Sequence, residues 1–198
     1  MLMLFNVPNI ISYFRILVAP FFLIFFISDN ETLVLISIVL FVLGAFSDWL
    51  DGWYARKFNQ TSKWGIFIDP LADKILNSTA FLAFVFEGII PFWMVLIIIL
   101  RDSFMTFLRL FAESHKLSIK TKEIAKIKTV LQFVLIIYVI SVYFVSLLQN
   151  DATMLNLVTK DYIYYLMLFL TVFTVWTLID YIKDNKKVVQ ILFGYDKK

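Results

Sequence analysis

Apolar positions run almost unbroken along this chain, separated at intervals by short polar segments. Six of the apolar stretches are long enough, at about 20 residues each, to cross a bilayer as helices. They run near Ile10–Ile27, Leu33–Tyr54, Trp64–Phe86, Pro91–Phe111, Ile124–Leu148 and Tyr162–Ile182. A β-barrel would instead show strands of about 10 residues with alternating character. The pattern therefore predicts an all-α, polytopic membrane protein: a bundle of six transmembrane helices forming a single domain over residues 1–198. Composition removes the soluble alternative. The chain is 61% hydrophobic and only 17% charged, with a mean hydropathy of +0.85. A globule of this size would carry large exposed apolar patches, and a disordered chain would be far more polar. The absence of Cys excludes disulfides, thiol nucleophiles and Cys-ligated metals. No cleavable leader is read at the N-terminus; Met1–Asn9 is expected to lie in the interface, with Pro8 starting the first span.

The connections between spans alternate in charge. One side carries Asp29, Glu31, Glu87, Asp151 and Asp161 against a single Lys160. The other carries Arg56, Lys57 and Lys63, then lysines from Lys116 to Lys128, then a Lys-rich tail ending at Lys198. The bias of bases toward the cytoplasm predicts that both termini and the Arg56 and Lys116 loops are cytoplasmic. The expected location is the cell's inner (plasma) membrane. The Lys-rich C-terminus reads as an anchor for anionic membrane lipids, and nothing in the charge distribution points to nucleic acid.

Four aspartates interrupt the apolar runs: Asp48, Asp51, Asp69 and Asp73. Intramembrane carboxylates cost several kcal/mol and are usually functional. Asp48, Gly52 and Arg56 form one helical row at steps of four, with Asp51 and Ala55 beside it. Gly65, Asp69, Asp73 and Asn77 form a second row on the next helix. At 1.5 Å per residue, Asp51 and Asp48 lie about 8 and 12 Å inward of Arg56, and Asp69 and Asp73 about 9 and 15 Å inward of Lys63. The short polar loop between predicts antiparallel neighbours, so the four carboxylates share one layer on the cytoplasmic side. Four like charges in a low dielectric need neutralising. A divalent cation does this, and all-oxygen ligation suits Mg²⁺, Mn²⁺ or Ca²⁺ rather than zinc. Ion pairs that hold helices together, or a proton or sodium relay in an ion-coupled transporter, are the other readings of such a layer.

A second polar group lies on later spans. Arg101, Asp102 and Arg109 share a face of the fourth helix, and Lys126, Lys128, Thr129 and Gln132 open the fifth. Arg101 with Asp102 reads as an intramembrane ion pair, and Lys126 with Lys128 as a headgroup anchor. Together, Arg101, Arg109, Lys126 and Lys128 also read as a cationic pocket for a phosphate on a substrate.

The pattern Asp48-x2-Asp51-Gly52-x2-Ala55-Arg56-x8-Gly65-x3-Asp69-x3-Asp73 resembles the complete signature of the CDP-alcohol phosphatidyltransferases. The resemblance implies a six-helix membrane bundle, usually a homodimer, with a two-metal site for Mg²⁺ or Mn²⁺. It implies that Asp48, Asp51, Asp69 and Asp73 bind the metals, that Asp73 doubles as general base, and that Gly52, Ala55, Arg56 and Gly65 serve the CDP moiety. The segment Asn6-Val7-Pro8-Asn9-Ile10-Ile11-Ser12-x2-Arg15 with Pro20, and the groups at Arg101-Asp102, Arg109 and Lys126-Ile127-Lys128-Thr129, resemble the branch whose acceptor is glycerol 3-phosphate. Ser12, Asp102 and Ala125 depart from that branch's Thr, Glu and Gly. The implied reaction takes CDP-diacylglycerol and glycerol 3-phosphate to phosphatidylglycerophosphate and CMP. A cardiolipin synthase-type acceptor, phosphatidylglycerol, or another polyol phosphate are the alternatives within the family.

Overall fold

The computed structural model describes residues 7–58, 63–115, 117–119, 123–149 and 161–194; within these, the side chains of 7–8, 48–56, 58, 63–67 and 149 are left aside. Six long helices occupy the predicted stretches: α1 (Val7–Phe26), α2 (Glu31–Phe58), α3 (Lys63–Phe86), α4 (Phe92–Ser114), α5 (Glu123–Gln149) and α6 (Tyr162–Asp184). A seventh, short helix, α7 (Lys186–Leu192), follows α6 and was not expected from the apolar pattern. No strand occurs among the described residues.

Local chemistry sets the helix ends. Asn30 precedes α2 and accepts the Thr32 amide on its Oδ1 at 2.9 Å, which satisfies one of the free amides at that terminus. At the end of α3, Gly88 takes a φ of +69°. The chain then turns so that the Ile89 amide bonds back to the Phe84 carbonyl at 2.9 Å. A residue with a Cβ would be strained there. Pro91 follows and opens α4.

Three helices, α1, α5 and α6, are long and apolar enough to cross a membrane by length and composition alone, and α2 adds an apolar stretch at Glu31–Ser47. The helices outside this set, α3 and α4, carry charged residues within their apolar runs, as does the rest of α2. Their inclusion among the spans is taken up below.

The bundle is apolar outside as well as inside. Leu17, Ile24, Val39, Leu148, Phe169 and Val172 are exposed, whereas Arg15, Arg101, Asp102, Lys128 and Gln132 are buried. This is the arrangement of a chain whose solvent is lipid: polar side chains turn to the interior. Helix α1 packs against both α2 and α3, α3 against α4, and α6 against α4 and α5. At one end an aromatic cluster joins α1, α2, α3 and α5: Phe22 to Phe41 at 5.4 Å, Phe26 to Phe84 at 5.7 Å and Phe26 to Tyr143 at 4.9 Å. Ala19, Ala80 and Ala83, all fully buried, let the helices approach closely there. Much of the Phe content is thus spent on packing, and the other end of the bundle is left to polar residues.

Candidate active site

Helix α1 presents Asn9, Ser12 and Arg15, one turn apart and all buried, to the interior. The Ser12 hydroxyl donates to Asp69 Oδ1 across to α3. Asp69 and Asp73 lie one turn apart on α3 and are each half-buried. Asp73 opens on a cavity of about 240 Å³ where α1, α2, α3 and α5 converge, with Arg15, Gly44, Asn77 and Thr129 among its walls. Gly44 is the point at which α2 meets α3. A Cβ built there would stand 3.0 Å from Leu76 Cδ2, so the close approach needs glycine or a shift of that leucine.

A larger cavity of about 520 Å³ adjoins, lined by α3, α4 and α5. Three of the four expected phosphate-binding bases, Arg101, Arg109 and Lys126, line it, together with Asp102 and Lys74. Thr129 and Val130 of α5 line both cavities. The larger cavity lies toward the end of the bundle where α4 finishes and α5 begins.

Lys128 is placed differently. It is 0% exposed, and its ammonium lies 2.5 Å from Asp102 Oδ1. The same oxygen accepts from Arg101 Nη1 at 3.1 Å, and Asp102 Oδ2 accepts from Gln132 Nε2 at 3.2 Å. Arg101 Nη2 reaches Thr177 of α6 at 3.0 Å. Lys126 and Lys128 are two residues apart and so project to opposite sides of α5. Lys126 meets the cavity with a side chain that is 68% exposed and pairs with Glu123 at 2.8 Å, while Lys128 turns into the bundle. The Arg101–Asp102 ion pair expected from sequence is present and becomes a five-residue buried network with Lys128, Gln132 and Thr177. The Nε of Arg101 has no hydrogen-bond partner among the described residues, which leaves a donor available beside the cavity.

Asp48, Asp51, Gly52, Ala55, Arg56 and Gly65 fall on helix backbone whose side chains lie outside those described. Among the described residues no three acidic or imidazole side chains gather as a complete metal site; Asp69 and Asp73 are two of the four carboxylates expected. Their donors are oxygens one turn apart on one helix, both half-buried, with Asp73 at a cavity edge, which fits a hard divalent cation.

Sequence reasoning passed over Lys74 as a site residue, and treated Asn9, Ser12 and Arg15 only as parts of a resemblance. Lys74 carried the same signal as the aspartates, an ionisable side chain inside an apolar run.

The CDP-alcohol phosphatidyltransferase family model matches residues 5–176. The chain belongs to that family. Relatives include the CDP-diacylglycerol–glycerol-3-phosphate 3-phosphatidyltransferase of Bacillus subtilis (strain 168), 36% identical over 143 residues, which covers 66% of this chain and 74% of that protein. The protein of the same name from Wigglesworthia glossinidia brevipalpis is 36% identical over 138 residues, 66% of this chain and 74% of its own length. The one from Rickettsia felis (strain URRWXCal2) is 29% identical over 182 residues, 92% of this chain and 96% of its own length. This phosphatidyltransferase is therefore an enzyme, and dependence on a divalent metal is a general property of its family. The transporter reading of the acidic layer gives way to it.

Proposed function

We propose that this phosphatidyltransferase moves the phosphatidyl group of CDP-diacylglycerol onto a hydroxyl of glycerol 3-phosphate, giving phosphatidylglycerophosphate and CMP. The observation that carries this reading is the adjacency of the two cavities: one holds Asp73, the other is basic, and they share Thr129 and Val130. An acceptor with a hydroxyl for one cavity and a phosphate for the other matches that pair. The names of the relatives agree with it.

In this reading Asp73 takes the proton of the acceptor hydroxyl, and the oxygen attacks the β-phosphorus. The new P–O bond forms as the bond to CMP breaks, and CMP leaves with that electron pair. Arg101, Arg109 and Lys126 orient the acceptor through its phosphate, so much of the rate comes from positioning. Arg56, with Gly52, Ala55 and Gly65, takes the CDP moiety, the small residues allowing close approach to the helix backbone. Asp48, Asp51, Asp69 and Asp73 hold Mg²⁺ or Mn²⁺, which when bound supplies positive charge to the pyrophosphate. Ser12 fixes the orientation of Asp69.

The reading extends to the whole chain as one domain of residues 1–198. All six long helices span the inner membrane, both termini and the site face the cytoplasm, and the enzyme is a homodimer. Charged α3 and α4 span because Asp73, Lys74, Arg101 and Asp102 line interior cavities rather than meeting lipid. The test is CMP release from CDP-diacylglycerol in detergent micelles, over a panel of alcohols, with and without Mg²⁺ or Mn²⁺. Release is expected with glycerol 3-phosphate and a metal, and not with glycerol, inositol or phosphatidylglycerol. Release with phosphatidylglycerol in place of glycerol 3-phosphate would reassign the acceptor.

A further inference from the structure

Consecutive residues of α3 face different chambers. Asp73 and Asn77 line the smaller cavity, and Pro70 and Lys74 line the larger one. Steps of four hold each pair on one row, and the two rows are about 100° apart around the helix. The base of the reaction and a cation are therefore fixed to one rigid backbone, one residue apart, with Thr129 at the threshold between their cavities.

Several other bases around the larger cavity have partners within the protein, and Arg109 lines it as well. Arg101 is tied to Asp102 and Thr177. Lys126 pairs with Glu123. Lys128 is consumed by Asp102 and lies outside the lining. Lys74 is half-buried at the wall and forms no salt bridge among the described residues. Asp102, paired with Lys128, and Glu113 also line this cavity.

We infer that Lys74 binds the phosphate of the acceptor, and that Lys128, expected from sequence to do so, acts behind the cavity wall by holding Asp102 and through it Arg101. Because Lys74 and Asp73 share a helix, the pair sets the separation between the acceptor's phosphate and the hydroxyl that attacks. An acceptor with a phosphate at the wrong distance loses one contact or the other. This inference rests on the proposed acceptor.

The test uses the full chain in detergent micelles. Steady-state KM is measured for glycerol 3-phosphate and for CDP-diacylglycerol in wild type, Lys74→Met and Lys74→Arg, alongside the shift in melting temperature produced by glycerol 3-phosphate. Loss of a charge-assisted phosphate contact predicts a rise of about tenfold or more in acceptor KM for Lys74→Met. The KM for CDP-diacylglycerol should stay within about twofold, the thermal shift should vanish, and Lys74→Arg should recover most of both. If Lys74→Met does not give a monodisperse protein, Lys74→Gln carries the same measurements. An unchanged acceptor KM overturns the inference. So does an equal rise in both KM values, which marks Lys74 as a counter-ion for the α3 carboxylates. Wild type that releases CMP with a phosphate-free alcohol, and not with glycerol 3-phosphate, defeats the acceptor assignment itself, and Lys74 as phosphate ligand with it.

Discussion

Two aspartates, Asp73 on α3 and Asp102 on α4, face neighbouring cavities yet differ in exposure and surroundings. Asp102 is 6% exposed, and both its oxygens are taken: Lys128 and Arg101 on one, Gln132 on the other. Asp73 is half-buried and opens on a cavity of about 240 Å³. A buried carboxylate saturated by the protein's own cations holds helices together, and its burial cost is met internally; a half-buried one at a cavity edge remains within reach of what enters the cavity.

The comparison breaks most visibly through catalysis. In the proposed mechanism Asp73→Asn removes the base and a metal donor together, so turnover should fall at least about a hundredfold in the CMP-release assay. The protein should stay monodisperse and its melting temperature should change little. Asp69→Asn and Asp48→Asn should behave alike. Wild-type turnover in all three would remove the site. Chelation with EDTA should abolish CMP release in wild type, with recovery on adding Mg²⁺ or Mn²⁺; activity that survives chelation would separate the carboxylates from metal binding.

Asp102 should fail in the other direction. Lys128→Met leaves the buried Asp102 carboxylate short of a cation, at a cost of up to about 3–5 kcal/mol. That should appear as a lower melting temperature in detergent. The double variant Asp102→Asn/Lys128→Met removes both charges and should regain part of the loss, a non-additivity expected of residues in one network. Additive losses would show that the pair is not coupled. The smallest effect is expected at Gly44→Ala. A new Cβ meets Leu76 Cδ2 at 3.0 Å and Val18 Cγ1 at 3.8 Å. Leu76 ends in a flexible group, so about 1 kcal/mol of overpacking is expected, with a modest drop in turnover because Gly44 also lines the Asp73 cavity.

Part of the helical geometry was legible in residue spacing. The row of Asp69, Asp73 and Asn77 was read correctly as one face, because helical periodicity alone puts residues four apart together. The Arg101–Asp102 pair was legible for the same kind of reason: ionisable residues in an apolar run seek each other. Lys128 shows where such reasoning stops. It was grouped with Lys126 by proximity along the chain, although two residues of helix separate their directions by more than half a turn. Lys74 was passed over beside the aspartates that drew attention, and its partner cavity is built from helices distant in sequence. The polar row of Asn9, Ser12 and Arg15 could be seen in the sequence, but its meeting with Asp69 depends on α1 packing against α3.

What the amino-acid order determines by itself here is the set of long helices, the apolar exterior and the presence of ionisable groups on defined helical rows. These follow from local periodicity and from the cost of polar groups in hydrocarbon, both of which are short-range. The tertiary structure alone decides which of those charges neutralise each other and which are left facing space. That choice turns on a few ångströms of approach between α3, α4 and α5, and on whether a side chain two positions along a helix points into the cavity or behind its wall.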